Sequence, residues 1–362
     1  MQVFPSRTIA WYTARMFLVR TAAFIVGLVV ILESLDLLGE SGKILAAAGN
    51  GEAELWTYVS LRVPQIIQLF LPFAVLLATL VTLATLNQNS EVVIFKAAGI
   101  SAHQILAPLM LAALGIAAAN FVFNERIVTR ATQTLKIWQA NEYRKVDTAE
   151  APRTASWVRG GNDLFHADTV SGREDSTRLG GVTIYDRQDN RLTRIVMAEE
   201  GTPTASGWEL SDVRIFDVAR GTVSTQPSLA FETSVIPRQF TTASLDPAYL
   251  PLWKLWPQIV EQRAAGKPVD TLIAAAHHKV AGPLSAVLMP LLGAVAAFGL
   301  ARSGKLFVRA VIGMFLGFAF FVADNFMLAM GNFGTVPPLM AAWSPFVLFL
   351  LIGESVLIRT EE

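Results

Sequence analysis

The run Val63-Pro-Gln-Ile-Ile-Gln-Leu-Phe-Leu-Pro-Phe-Ala-Val-Leu-Leu-Ala-Thr-Leu-Val-Thr-Leu-Ala-Thr-Leu86 decides the fold class of this chain. It lies in a 28-residue stretch, 63–90, without Lys, Arg, Asp or Glu, and a second such stretch, 97–124, holds the run His103 to Phe123. About 20 apolar residues cross a bilayer core as a helix, because backbone groups there have no water and must bond within the segment. Both runs are read as membrane spans. Worked outward, the same criterion finds four more: Met16–Leu38, Val280–Ala301, Phe307–Met330 and Pro338–Ile358. The first carries Arg20 at one end and Glu33 and Asp36 at the other, and the fifth contains one ionisable residue, Asp324.

The composition agrees. Of 362 residues 53% are hydrophobic and only 16% charged, and the mean hydropathy is +0.46, too apolar for a soluble chain. About half of all Lys and Arg fall between Arg126 and Arg238, so two environments share one polypeptide. Net charge is zero and no basic run is interleaved with aromatics, which excludes a nucleic-acid partner. Without cysteine there is no disulfide framework, thiolate metal site or Cys nucleophile. Arg7, Arg15 and Arg20 ahead of an apolar run, with Ala46-Ala47-Ala48 beyond it, imitate a signal peptide. Glu33 and Asp36 interrupt that run, so the segment is read as a retained helix.

Lys and Arg near span ends favour the cytoplasm. Arg7 and Arg15, the group Arg302, Lys305 and Arg309, and Arg359 all fall on one side, whereas the loop from Gly39 to Ser60 holds one Lys against three Glu. With an even number of spans, both termini are therefore expected in the cytoplasm and the large segment outside, which in a Gram-negative cell means the periplasm.

Between Asn124 and Pro251 the sequence changes to short alternating runs separated by turn residues. Trp157-Val158-Arg159 precedes a Gly160-Gly161-Asn162-Asp163 turn; Leu164–Asp168, Gly181–Asp186 and Leu192–Ala198 after Asp189-Asn190 follow, then Gly207–Leu210 and Val213–Val218. Strands at this spacing indicate an all-β sandwich or barrel. Arg126, Arg130 and Gln133 on one helix face, and Pro268-Val269-Asp270 as a helix start, frame it with helical connectors. Three segments are expected. Residues 1–124 hold three spans and a short cytoplasmic helix at 90–99, 125–251 the β domain with its connector, and 252–362 the remaining connector and spans.

Gly299-Leu-Ala-Arg-Ser-Gly304-Lys305 has phosphate-loop spacing, but Leu306 stands where a Ser or Thr hydroxyl would reach Mg²⁺, so it is read as a basic loop. His103, His166, His277 and His278 are the only histidines. Adjacent ones on a helix point about 100° apart, which disfavours a shared metal. Neither a G-x-S-x-G motif nor a carboxylate dyad appears, so no catalytic residue and no metal are expected. Asp324 is costly at membrane depth and is a functional candidate, against a bundle hydrogen bond, for instance with Asn325, or a hydrated position near the interface.

The loop Ser90-Glu-Val-Val-Ile-Phe-Lys-Ala-Ala-Gly-Ile-Ser101 carries unusual order. Ser90 is expected to cap a helix, Glu91 to sit at its positive end, Gly99 to end it in the left-handed conformation and Ser101 to cap the next. Val92, Val93, Ile94 and Phe95 make this helix apolar nearly all round, so it needs a protein partner or the bilayer. Such a helix suits a groove on a separate ATPase.

This loop, with Pro72, Asn124-Glu125, Gly181-Val-Thr-Ile-Tyr185-Asp186, Trp208-Glu-Leu210, Lys279 and Pro283-Leu284, resembles the LptF/LptG lipopolysaccharide-export permease family over nearly the whole chain. Phe320-Phe-Val-Ala-Asp324-Asn325 followed by Gly334 and Pro337-Pro338 is more similar to the LptG branch. The resemblance implies a periplasmic β-jellyroll, a heterodimer with an LptF-like permease and a cytoplasmic LptB-like ATPase dimer that holds ATP and Mg, this chain binding no cofactor of its own. It also implies onward passage of lipopolysaccharide to LptC-like and LptA-like proteins. On that resemblance Glu91, Phe95, Lys96, Ala98 and Gly99 would couple to the ATPase. Residues toward the outer ends of the first and third helices would line the substrate path: Glu33, Asp36, Lys43, Arg130 and Lys136, with Asp324 and Asn325 on the fifth. One departure is that Glu33, Asp36 and Glu40 dominate where LptG-like chains often carry lysines, and carboxylates repel phosphate unless a divalent cation bridges them. The competing expectations are a non-transporting envelope scaffold that tethers periplasmic partners and an intramembrane hydrolase centred on Asp324.

Overall fold

The computed structural model describes residues 6–144, 153–172, 176–188, 191–204, 206–233, 235–237, 240, 250–264, 268–299 and 306–361. The Asp189-Asn190 turn and the basic loop with Arg302 and Lys305 lie outside them.

Six helices are long and apolar enough to cross a membrane. The chain runs through α1 (Arg7–Ala46), α2 (Glu52–Gln88), the short α3 (Glu91–Ala97) and α4 (Ala102–Phe123). A π-helical turn (Asn124–Val128) joins α4 to α5 (Thr129–Ala140). After the β strands come α6 (Leu252–Ala264), α7 (Asp270–Ala294) with a second π turn (Val295–Gly299), α8 (Leu306–Asn332) and α9 (Pro338–Glu361). At 40 residues, α1 is about 60 Å long, twice a hydrocarbon core, so the apolar run Met16–Leu38 is only its middle. Pro64 and Pro72 in α2, Pro108 in α4 and Pro283 and Pro290 in α7 sit inside continuous helices, as membrane helices tolerate.

The chain divides into two compact units. The first comprises Met1–Gly39, Val59–Ala131 and Leu250–Glu362. Its core is a cluster that includes Phe17 of α1, Leu76 and Leu83 of α2, Leu109 of α4, and Met289 and Leu292 of α7, all nearly without exposure. The most apolar window of α7 is 72% buried, against 17% for α1 and for α8. The fourth span is thus the hub of the unit, while the first and fifth turn most of their surface outward.

The second unit comprises Glu40–Tyr58 and Thr132–Tyr249. Its strands β1 (Arg153–Gly160), β2 (Asp163–Ser171), β3 (Arg178–Gln188), β4 (Arg191–Thr204), β5 (Gly207–Asp217) and β6 (Thr222–Glu232) form one antiparallel sheet in sequence order. The all-β segment between the third and fourth spans is therefore present, and its described strands follow a meander. Phe165, Ala167, Leu179, Val182, Ile184, Val196 and Leu210 alternate onto one face around Trp208. Two details differ from the sequence reading. Gly207–Leu210 and Val213–Asp217 join into one strand, β5, whose pairing with β6 resumes in the same register on either side of Asp212, which lies at φ 52°. And β6 was not legible: its side chains are almost all exposed and Pro227 breaks the pattern, as fits the last strand of the described sheet.

Candidate functional site

The loop between the second and third spans is built as a rigid bracket around α3. Gly99 lies at φ 80°, donating its N–H to Lys96 O while Ile100 N donates to Phe95 O, so the carbonyls at the end of α3 are satisfied. Ser101 Oγ accepts from Gln104 N at 3.2 Å and Gln104 Oε1 accepts from Ser101 N at 3.0 Å, a reciprocal cap on α4. Ser90 departs from its expected role. It sits at φ 62° and its side chain makes no cap, because an N-cap requires extended backbone to aim the hydroxyl into the helix. Glu91 instead accepts from Asn89 Nδ2 at 3.2 Å and from Tyr12 Oη of α1 at 3.3 Å.

This bracket presents an uneven surface. Val92 is buried in the membrane-unit core and Phe95 packs against it, while Val93 and Ile94 are each 62% exposed, beside exposed Lys96, Ala98 and Gly99. Replacing Ser101 by Ala is expected to cost about 1 kcal/mol at the start of α4, seen as faster amide exchange at 102–105.

At the far end of α1 the acidic residues are turned inward. Arg62 of α2 donates from Nε and Nη2 to both oxygens of Asp36 at 2.9 and 3.0 Å, and from Nη1 to Gln65 at 2.9 Å. Glu33, one turn earlier, is buried, and among the described residues neither carboxylate oxygen has a hydrogen-bond partner. Lys43 pairs with Glu40 at 2.8 Å, and Glu40 also accepts from Tyr143 Oη at 2.7 Å. Of the carboxylates that looked out of place before an anionic lipid, Asp36 thus ties α1 to α2 and Glu40 ties it to the residues that follow α5. Nearer the start of α1, Arg20 does similar work on α2, donating to Val81 O at 3.0 Å and Thr85 Oγ1 at 2.9 Å.

The remaining candidates are dispersed. Asp324 of α8 pairs with His278 of α7 at 3.0 Å rather than with Asn325, whose amide bonds its own helix at Phe321 O. Asp324 and Asn325 are adjacent on a helix and point apart, so the histidine across the bundle is the better partner. Arg130 and Lys136 are exposed on α5. Among the described residues no group of three His, Cys, Asp or Glu side chains stands close enough for a metal.

Sequence comparison decides between the expectations left open. The profile of the family "Lipopolysaccharide export system permease LptF/LptG" matches residues 11–359. The chain belongs to the LptF/LptG family. It is 27% identical over 346 residues to the lipopolysaccharide export system permease protein LptG of Escherichia coli K12, covering 94% of both chains. It is also 26% identical to the LptG of Haemophilus influenzae, over 84% of this chain and 87% of that one. As a member of this family the chain is a permease subunit of lipopolysaccharide export, a transport subunit, and a multi-pass protein of the inner membrane.

Within this LptF/LptG permease the features that sequence reasoning did not supply are the pairings between residues far apart in the chain. Glu125, in the first π turn, accepts from Lys279 Nζ of α7 at 3.0 Å and from the backbone N–H of Leu252 at the start of α6. Both ionic side chains are buried, at 4% and 5% exposure. The available signal was that Glu125 is the first charge after the apolar run 97–124 and Lys279 the last before the run from Val280. Arg62 gave a similar signal just before the second span.

Proposed function

We propose that this permease subunit takes its energy input at α3, from a separate ATPase of the LptB type that carries ATP and Mg, and works beside a second permease of the LptF type. The observation that carries this reading is the pair Val93 and Ile94, exposed on a helix that is locked at its C-terminal end by Gly99 and by the Ser101 cap. A short apolar surface on so rigid a mount suits a groove on a partner protein. Displacement of α3 reaches the bundle through buried Val92, and reaches α1 through the Tyr12 contact with Glu91.

In this proposal the cytoplasm faces α3 and both termini, following the placement of Arg7, Arg15 and Arg359, and the β domain is periplasmic. Lipopolysaccharide leaves the membrane along the outward-facing first and fifth helices and passes by way of the β domain to LptC-like and LptA-like proteins. The inward pairing of Asp36 with Arg62 supports a headgroup path that relies on Arg130, Lys136 or the partner permease rather than on the acidic residues of α1.

The test is purification of the detergent-solubilised complex. Glu91→Ala and Gly99→Pro are expected to lose the ATPase from the co-purified complex while the second permease stays bound. Proline at 99 loses both the left-handed backbone and the N–H that Lys96 O requires. An ATPase retained at wild-type level in both variants would remove the coupling role from α3.

A further inference from the structure

An apolar groove of about 570 Å³ opens between α6 and α7, lined by Trp256, Ile259, Val260, Arg263, Ile273 and His277, with Ala264 at its edge. Its floor is the buried Ile259. Its rim is an apolar stripe along α6, with Trp253, Trp256 and Val260 exposed at 51, 60 and 58%. These positions recur at helical spacing, so one face of α6 is apolar and unpartnered among the described residues while Leu255 and Ile259 anchor the other.

The place of the groove in the bilayer follows from α7. The candidate span Asp270–Ala297 has 28 residues and is about 42 Å long, enough to cross the hydrocarbon and reach through the headgroup layers. Its uninterrupted apolar run begins only at Val280. Ile273 and His277 therefore stand about 4 to 10 Å beyond the start of that run, at headgroup depth. Packed on those turns, α6 lies in the interface, where exposed tryptophans favour the boundary between acyl chains and water.

The one formally charged side chain that lines this groove among the described residues is a cation, Arg263. Arg263 and His277 line it, no carboxylate does, and among the described residues neither of the two makes a hydrogen bond or an ion pair. An arginine fork with an imidazole N–H beside an apolar slot fits a phosphate attached to an acyl chain.

We propose that this groove is a binding site for an anionic glycerophospholipid of the adjoining leaflet, phosphatidylglycerol being the simplest, with one acyl chain along Trp256, Val260 and Ile273 and the phosphate on Arg263 and His277. The slot admits a single chain, which separates this resident lipid from the exported glycolipid with its several chains. Bound there, the lipid fills the unpartnered face of α6 and fastens it to the first turns of α7. The site stands whether or not α3 is the point of ATPase contact.

The experiment uses the complete chain in complex with its co-purifying subunits, delipidated in detergent and offered phosphatidylglycerol, phosphatidylethanolamine or lipopolysaccharide, with retained lipid counted by native mass spectrometry. Wild type is expected to retain phosphatidylglycerol over phosphatidylethanolamine. Arg263→Gln should weaken that retention about tenfold, Val260→Trp should abolish it by filling the slot, and neither should change retention of lipopolysaccharide. Both positions are exposed, so the fold tolerates the changes. Equal retention of the two phospholipids, or retention unchanged in both variants, would overturn the proposal. So would displacement of phosphatidylglycerol by lipopolysaccharide, which would give the groove to the exported lipid.

Discussion

Lys279→Met should destabilise the membrane unit by about 3–5 kcal/mol, the cost of leaving one member of a buried ion pair without its partner. In this substitution the stranded group is Glu125, 4% exposed, whose carboxylate otherwise accepts from Lys279 Nζ and from Leu252 N. Three segments meet at that carboxylate: the π turn after the third span, the start of α6 and the first half of α7. A π turn carries one more residue per turn than the helix around it, and this brings Asn124 and Glu125 together onto the buried side. In an uninterrupted helix the face following Glu125 would be rotated by up to about 100°. Against a total stability of about 5–15 kcal/mol typical of folded domains, such a loss is severe. It is read as a lowered midpoint of thermal unfolding for the solubilised chain and as poor accumulation in the membrane. Glu125→Gln alone should cost a similar amount, since it buries the ammonium unpaired. The double variant Glu125→Gln/Lys279→Met should recover most of the loss: no charge remains buried, and the glutamine oxygen still accepts from Leu252. A double variant as unstable as the singles would mean that side-chain shape rather than charge holds this junction.

The path from sequence to fold was short wherever one residue's environment decides its conformation. Backbone satisfaction inside lipid makes a span legible from composition alone, and all six were. Gly99 and Ser101 were legible for a similar reason: a left-handed helix end and a reciprocal cap involve only residues within a few positions. Ser90 resembled a cap by type, yet capping depends on backbone angles that its type does not determine. Strand β6 was hidden because its side chains are exposed almost throughout and leave no alternation to read. The candidate site was harder, since its geometry depends on partners distant in the chain. Asp36 could not be matched to Arg62 from spacing, nor Asp324 to His278 across 46 residues, nor Glu125 to Lys279. Each is a charge at a membrane span, and a charge so placed is equally the signature of a lipid contact and of an internal tie. The structure brings the pairs together, and for Asp36 this turns an apparent clash with an anionic lipid into a clamp between the first two helices.

A second large effect is expected in the β domain, where Trp208→Ala should cost about 3–5 kcal/mol. Trp208 is 1% exposed at the centre of the sheet's buried face, edge-on to Phe240 at 5.4 Å, and its indole N–H donates to Val235 O at 2.8 Å. Phe240 in turn packs edge-on against Phe165 of β2 at 6.4 Å, so one side chain on β5 links the segment after β6 back to the second strand. Removing it empties the middle of that chain of rings and leaves the Val235 carbonyl without its donor. Trp208→Phe separates the two contributions. It keeps an aromatic ring against Phe240 and loses only the hydrogen bond and part of the volume, so a cost of about 1–2 kcal/mol is expected. The measurement is amide exchange along β2, β3 and β5 in the intact chain: protection should fall strongly in the alanine variant and modestly in the phenylalanine variant. The ATPase should still co-purify in both, because the proposed contact lies on α3 in the other compact unit. Loss of the ATPase from Trp208→Ala would instead show that the β domain must be folded for α3 to hold its partner, a dependence that α3's own caps and core contacts do not require.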